Sequence, residues 1–427
     1  MNDKKRSRRD FIQNVSIAVL TVSAVLLFVQ NQVYHLGASS SFSRLFSGPD
    51  IQSGTVVTQQ PKDNTFRAPV RIAVASTYGR YGDVAMTTED DDFLFLRQLL
   101  EQALGSAQTM TVSSSHAFLS ALDGTSVYYD FLSSLPLSVL ADLVQTSLSE
   151  HLISARHVVI AEEDGIVLLH LWDGNSNYYR SSTSLSAEDL AEAVRHYELG
   201  NAFFAFEGSE HYISTASPLS LFPEELPALP ELSVSTQIPD KTQLMAALRF
   251  NPNTQNRYRE ADGTEVISES SNRTLRIGTN GTILYQSDGD ASLSIEAGGT
   301  IPTSLEAVTE VRTLLNGLFP ASSGGSGLYL EQIRQTNETT HLRFGYQVGG
   351  VPVRFSNGQS AALVTLSGTA VSSIVLNFRQ YTATEQLSLL LPLRQTLAVA
   401  TDLPDTTISI GYVDQGSDPV CANWLAD

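Results

Sequence analysis

Apolar and polar positions alternate with three different periods along the chain. From Phe11 to Val29 about 19 residues run uncharged and mostly apolar, FIQNVSIAVLTVSAVLLFV, close to the roughly 20 needed to cross a bilayer as a helix. From Val70 onward, periods of two and of three-to-four take over. Arg71 to Ser76 reads as a strand, and Phe93, Leu96, Leu100 and Ala103 recur at helix spacing. Glu89, Asp90, Asp91 and Asp92 stand at the mouth of that helix, where carboxylates meet its partial positive charge. A second helix is expected from about Leu137 to Leu148, then paired strands His157 to Ala161 and Ile166 to Trp172 around Glu163-Asp164-Gly165. Ser186 and Asp189 form a capping box that opens a helix through Tyr197.

Five prolines, Pro218, Pro223, Pro227, Pro230 and Pro239, then suit an extended connection rather than a helix or a central strand. Beyond it, Lys241 to Phe250 reads as a short helix. Arg273 to Gly278 and Thr282 to Gln286 flank Asn280-Gly281, a strong hairpin signal. Ser304 is placed to cap a helix with Leu305, Val308, Val311, Leu315 and Leu318 on one face. Strands follow over Leu328 to Gln335, His341 to Val348, Val351 to Phe355, Ala361 to Leu366 and Thr369 to Arg379. A helix near Gln395 to Ala400 and a strand Ile408 to Val413 close the chain.

The expected class is α+β: an amino-terminal transmembrane helix followed by three mixed α/β domains, the last two built as a helix packed on an antiparallel β meander. The expected organisation is a basic tail over 1–10, a membrane helix over 11–30, a flexible stalk over 31–69, and domains over 70–215, 216–298 and 299–427.

Charge sharpens the compartment. Lys4, Lys5, Arg6, Arg8 and Arg9 precede the apolar run, and no basic residue follows until Arg44, which puts the amino end in the cytoplasm and the bulk outside. Ser7-Arg8-Arg9-Asp10-Phe11-Ile12-Gln13 also resembles a twin-arginine export signal, with Leu36-Gly37-Ala38 as a cleavage site, so an anchor and a cleaved signal both stand. The length of the apolar run favours the anchor. The formal charge is −19 overall, which opposes binding to nucleic acid and to anionic lipid surfaces. A single cysteine, Cys421, excludes an intrachain disulfide and a cysteine-based zinc site.

Chemistry is sparse. The eight histidines lie singly, none at H-E-x-x-H spacing, and no phosphate-binding or dinucleotide glycine motif occurs. Gly324-Gly325-Ser326-Gly327 lacks the last glycine of a nucleophile elbow. No catalytic residue, cofactor or metal is therefore expected. Tyr128-Tyr129 and Tyr178-Tyr179 are candidate exposed binding aromatics, with covering a core edge as the plainer reading.

Two runs carry a family likeness. The first is Leu248 to Pro252, then Tyr258 to Thr264 with its Asp262-Gly263 turn, then Leu275 to Ile277 and Gly281 to Tyr285 after Asn280. The second is Phe344 to Val353, with Gly350 and Pro352 at its bend, and Ile410 to Val413 with Tyr412, followed by Asn423-Trp424. With the basic tail and single span, these resemble the YycH family, membrane-anchored accessory proteins of the WalK-type histidine kinase in low-GC Gram-positive bacteria. The last domain is similar to YycI and related PepSY-like modules. The resemblance implies a non-enzymatic regulator of a kinase that controls cell-wall metabolism. Its implied partners are a WalK-like kinase, a YycI-like single-pass protein and the lipid bilayer, with no nucleic acid. Phe11, Ser16, Thr21, Ser23 and Phe28 would face a partner helix, the small hydroxyl residues giving close packing. Two alternatives remain: an extracytoplasmic enzyme with a carboxylate pair in a cleft, and a protease inhibitor or chaperone with an exposed apolar groove beside Gly349-Gly350.

Overall fold

The computed structural model describes residues 67–148, 153–208, 216–238, 240–270, 272–288, 293–319, 326–399 and 406–426. The expected membrane span, Phe11 to Val29, lies outside them. Among the described residues no helix is long and apolar enough to cross a membrane. The described residues mix α and β elements, in keeping with an α+β class.

The first part comprises β1 (Pro69–Ser76), β2 (Gly79–Thr87), α1 (Leu94–Ser106), β3 (Thr111–Val112), α2 (Ser115–Ser120), β4 (Ser126–Pro136), α3 (Leu137–Leu143), β5 (Ser154–Glu163), β6 (Ile166–Trp172), β7 (Tyr178–Ser182) and α4 (Ala187–Arg195). Its strands form one antiparallel sheet in the order β2-β1-β4-β5-β6-β7-β3. Asp164 and Gly165 both take positive φ, which matches the right-handed twist of the β5–β6 hairpin they join. Leu96, Leu100 and Ala103 of α1 are buried as their spacing predicts. Ser186 and Asp189 make the expected reciprocal cap on α4. β1 starts at Pro69, and just before it the Ala68 carbonyl accepts from Thr88 N.

The second part begins with a small ribbon of β8 (Ala202–Phe204) and β9 (Leu221–Pro223). It continues through β10 (Pro230–Ser235), α5 (Lys241–Ala247), β11 (Arg257–Arg259), β12 (Glu265–Ser270), β13 (Arg273–Ile277), β14 (Thr282–Ser287), β15 (Leu293–Ser294) and α6 (Ser304–Leu318). The remaining elements are β16 (Ser326–Gln335), β17 (Thr339–Val348), β18 (Val351–Phe355), β19 (Ala362–Ser367), β20 (Ala370–Asn377), β21 (Gln380–Leu387), α7 (Leu393–Val399), β22 (Ile408–Asp414) and β23 (Cys421–Ala426). Twelve of these strands form one sheet in the order β11-β12-β13-β14-β20-β19-β17-β18-β22-β23, with β15 added on β20 and β16 on β17. Because β14 pairs with β20 over Thr282–Gln286, residues 257–287 and 326–377 share this sheet. The β18–β22 pair is parallel; the other pairs are antiparallel.

A continuous apolar core runs from Val70 and Leu100 in the first part to Val311, Phe344 and Tyr412 in the second. Several expectations are corrected. The helix expected to reach Leu148 ends at Leu143, since Gln145 turns to φ +64 and Thr146 N bonds back to the Ala141 carbonyl. Thr303, not Ser304, caps α6; its hydroxyl accepts from Glu306 N while the Glu306 carboxylate accepts from Thr303 N. The proline-rich connection contributes a strand, because β10 pairs with β21, a strand the polar run Gln380 to Leu387 did not announce. After Ile408 to Val413 the chain adds β23, again unannounced.

Candidate functional site

Aromatic and charged side chains on β4 to β7 converge under the amino-terminal sheet. Tyr128 and Tyr129 sit on β4, whose two faces are both covered, so neither is the exposed aromatic the sequence suggested. The Tyr128 hydroxyl lies 2.8 Å from His157 Nδ1. His157 stacks on Trp172 at 4.5 Å, and Trp172 on the half-buried Tyr178 at 5.4 Å. Beside them Asp130 accepts from Arg156 at 2.8 Å, from Arg71 at 3.4 Å and from Leu132 N at 2.8 Å. Burial alone would raise the Asp130 carboxyl, but the Arg156 and Arg71 guanidiniums hold it well below the usual carboxylate range. Burial pushes the His157 imidazole down to about 3, against the pull of Asp130. Tyrosine, histidine and carboxylate are thus adjacent yet sealed from solvent, which makes this a closed, hydrogen-bonded anchor.

A second closed centre lies where β22 of the large sheet meets β21 and the residue before it. Asp414 accepts from Arg379 Nε at 3.2 Å, from the Tyr381 hydroxyl at 2.7 Å and from Gly416 N at 2.6 Å. Burial raises Tyr381 well above an ordinary phenol, and Asp414 adds to that. The Tyr346 hydroxyl donates to the Asn377 carbonyl and accepts from Arg379 N, tying β17 to the end of β20.

The sequence-selected residues are scattered through the second part. Tyr258 is 58% exposed on the edge strand β11. Asp262 and Gly263 form the turn to β12, with Asp262 Oδ1 accepting from Thr264 N. Asn280 and Gly281 turn β13 into β14. Tyr285 is buried, its hydroxyl accepting from Leu293 N. Tyr412 donates to the Pro230 carbonyl, and Trp424 Nε1 to the Leu391 carbonyl. Pro352 pairs with Gln347 on β18. Phe11, Ser16, Thr21, Ser23 and Phe28 lie outside the described residues.

Gly350 has a special position. At φ +78, a Cβ there would lie 2.5 Å from Ala85 C and 2.6 Å from Met86 N, so the β17–β18 turn is pressed backbone to backbone against β2. On the Gly350 side the hairpin is therefore packed on β2, while nothing lies within 4 Å of a Cβ at Gly349. Exposed apolar side chains occur at Leu387, Leu389, Leu391 and Val399 around α7. A small polar cleft on the large sheet, lined by Arg343, Arg354, Gln359 and Ser360, carries one carboxylate, Glu331. No such pattern was visible in the sequence, because its members come from four separate segments.

No family model matches the chain, and no curated protein matches it. Among solved structures, the crystal structure of YycH from Bacillus subtilis matches with a TM-score of 0.50 and 14% identity, covering 86% of this chain and 95% of that one. The fold is YycH-like. At that identity the YycH likeness is one of architecture.

Proposed function

We propose that this chain is a non-enzymatic regulatory protein that binds and modulates a membrane sensor histidine kinase of the WalK type, one that controls cell-wall metabolism. A single membrane helix over residues 11–30 would hold it at the cell membrane, amino end inside and bulk outside, in a Gram-positive cell. A YycI-like single-pass protein would be its second partner, and residues 299–427 would form the YycI/PepSY-like part. The observation that supports this reading most is the YycH-like fold over nearly the whole length of the matched chain. The motif order from Leu248 to Tyr285 supports it from the sequence.

The test is a pull-down of the full-length protein, crosslinked in its native membrane, with co-purifying proteins identified by mass spectrometry. Recovery of a membrane histidine kinase with a second small single-pass protein is expected. Recovery of wall-synthesis enzymes or a protease without a kinase would overturn the proposal.

A further inference from the structure

A polar cleft of about 100 Å³ opens on the large sheet where β17, β18 and the turn before β19 meet. That volume is about three waters' share of the liquid and well below the several hundred Å³ of a drug-sized site. It suits a single small polar group. Arg343 of β17 and Arg354 of β18 line it, with Gln359 and Ser360 from the turn.

Glu331 occupies the bulge of β16, where the register slips between Leu330 and Gln332. Its carboxylate reaches Arg354 at 3.0 Å by passing over Gly345, where any Cβ would collide with Glu331 Oε1. The Arg343 side chain is exposed and makes no hydrogen bond or ion pair among the described residues. Two guanidiniums and one carboxylate thus leave a net positive charge in the cleft, on a chain whose total is −19.

We propose that this cleft binds a carboxylate, held by the Arg343 guanidinium with help from Arg354 and the polar turn. A planar guanidinium fork matches a planar carboxylate with two parallel bonds. The single surplus charge suits a monoanion, whereas a phosphate near two negative charges would meet Glu331 as a repelling neighbour. The chain's net charge of −19 disfavours anions in general, so a cleft of net positive charge is a local inversion of sign that selects where an acid lands. The carboxylate belongs either to a free small acid or to an acidic side chain of a partner protein.

Saturation-transfer NMR on the full-length protein in detergent micelles separates the outcomes. The probes are acetate, a capped Gly-Glu-Gly peptide and its Gly-Gln-Gly twin, at fixed ionic strength, with inorganic phosphate as competitor. Saturable transfer to acetate is expected, weakened roughly tenfold or more in R343Q by loss of the charge-assisted guanidinium fork and strengthened roughly threefold in E331Q by removal of the opposing charge. Equal transfer to the glutamate peptide, but not to its glutamine twin, assigns the site to a partner's acidic side chain; transfer to acetate alone assigns it to a free acid. The proposal falls if R343Q binds as the native chain does, if neither probe binds saturably, or if phosphate displaces acetate more strongly than acetate displaces itself. The opposite directions expected for R343Q and E331Q guard against a variant that merely unfolds.

Discussion

His157 shows how a single residue ties the fold to pH. Its folded pKa, about 3, lies below the ordinary 6.5, so the unfolded chain takes up a proton first as pH falls. The stability this supplies is whole above about pH 6.5 and is lost on the way down to 3. Between pH 7 and 5 the native chain is expected to lose about 2 kcal/mol through this residue, and urea unfolding of His157→Gln at both pH values should show that share gone. Buried His170, also shifted down by burial, adds a change of the same sign. Gly350 gives a second residue-scale expectation. Gly350→Ala meets both a left-handed φ and the β2 backbone and should cost ~2 to 4 kcal/mol, whereas Gly349→Ala, at φ +55 with open space around it, should cost about 1. Neither role was legible beforehand. The Gly349-Gly350 pair announced a turn, but the strand it presses on lies more than 250 positions earlier in the chain. Tyr128-Tyr129 are core residues, the plainer of the two sequence readings; on a strand covered on both sides adjacent aromatics are both buried, so period-two reasoning has no polar face to detect.

Elements were legible where a local signal set them. The capping box at Ser186, the Asp164-Gly165 and Asn280-Gly281 turns and the helix faces of α1 and α6 all emerged where local spacing placed them. Ser304 was one position off because two adjacent hydroxyl residues both qualify as caps; the deciding feature is that Glu306 stands three residues after Thr303. Thr303→Ala is expected to lower stability by about 1 kcal/mol, and Ser304→Ala by less, as measured by thermal unfolding. The missed strands differ in cause. β21 is exposed over most of its length and takes its place because the proline-bearing β10 lies across from it, and partners that far apart leave no periodic trace in either segment. β23 pairs with its sequence neighbour β22, and its short run Cys421–Ala426 carries no clear alternation of apolar and polar residues.

For the whole molecule, the long sheet makes residues 257–287 and 326–377 one cooperative structure. A chain split after Gly298 is expected to give a native circular dichroism spectrum and a sharp melt only when both fragments are mixed, since each alone leaves a β14 or β20 edge unpaired. Two independent melts from the separate fragments would contradict that. The position of β1 has a mechanical meaning. It is the first strand among the described residues, yet it lies inside its sheet, hydrogen-bonded to β2 on one side and β4 on the other. A pull arriving through Arg67 therefore loads two ladders at once, in shear, because their bonds lie across the direction of tension. Such a strand slips only when many bonds fail together, so the folded part would withstand tugging from its amino end far better than tugging that peels the edge strand β23 from its carboxyl end.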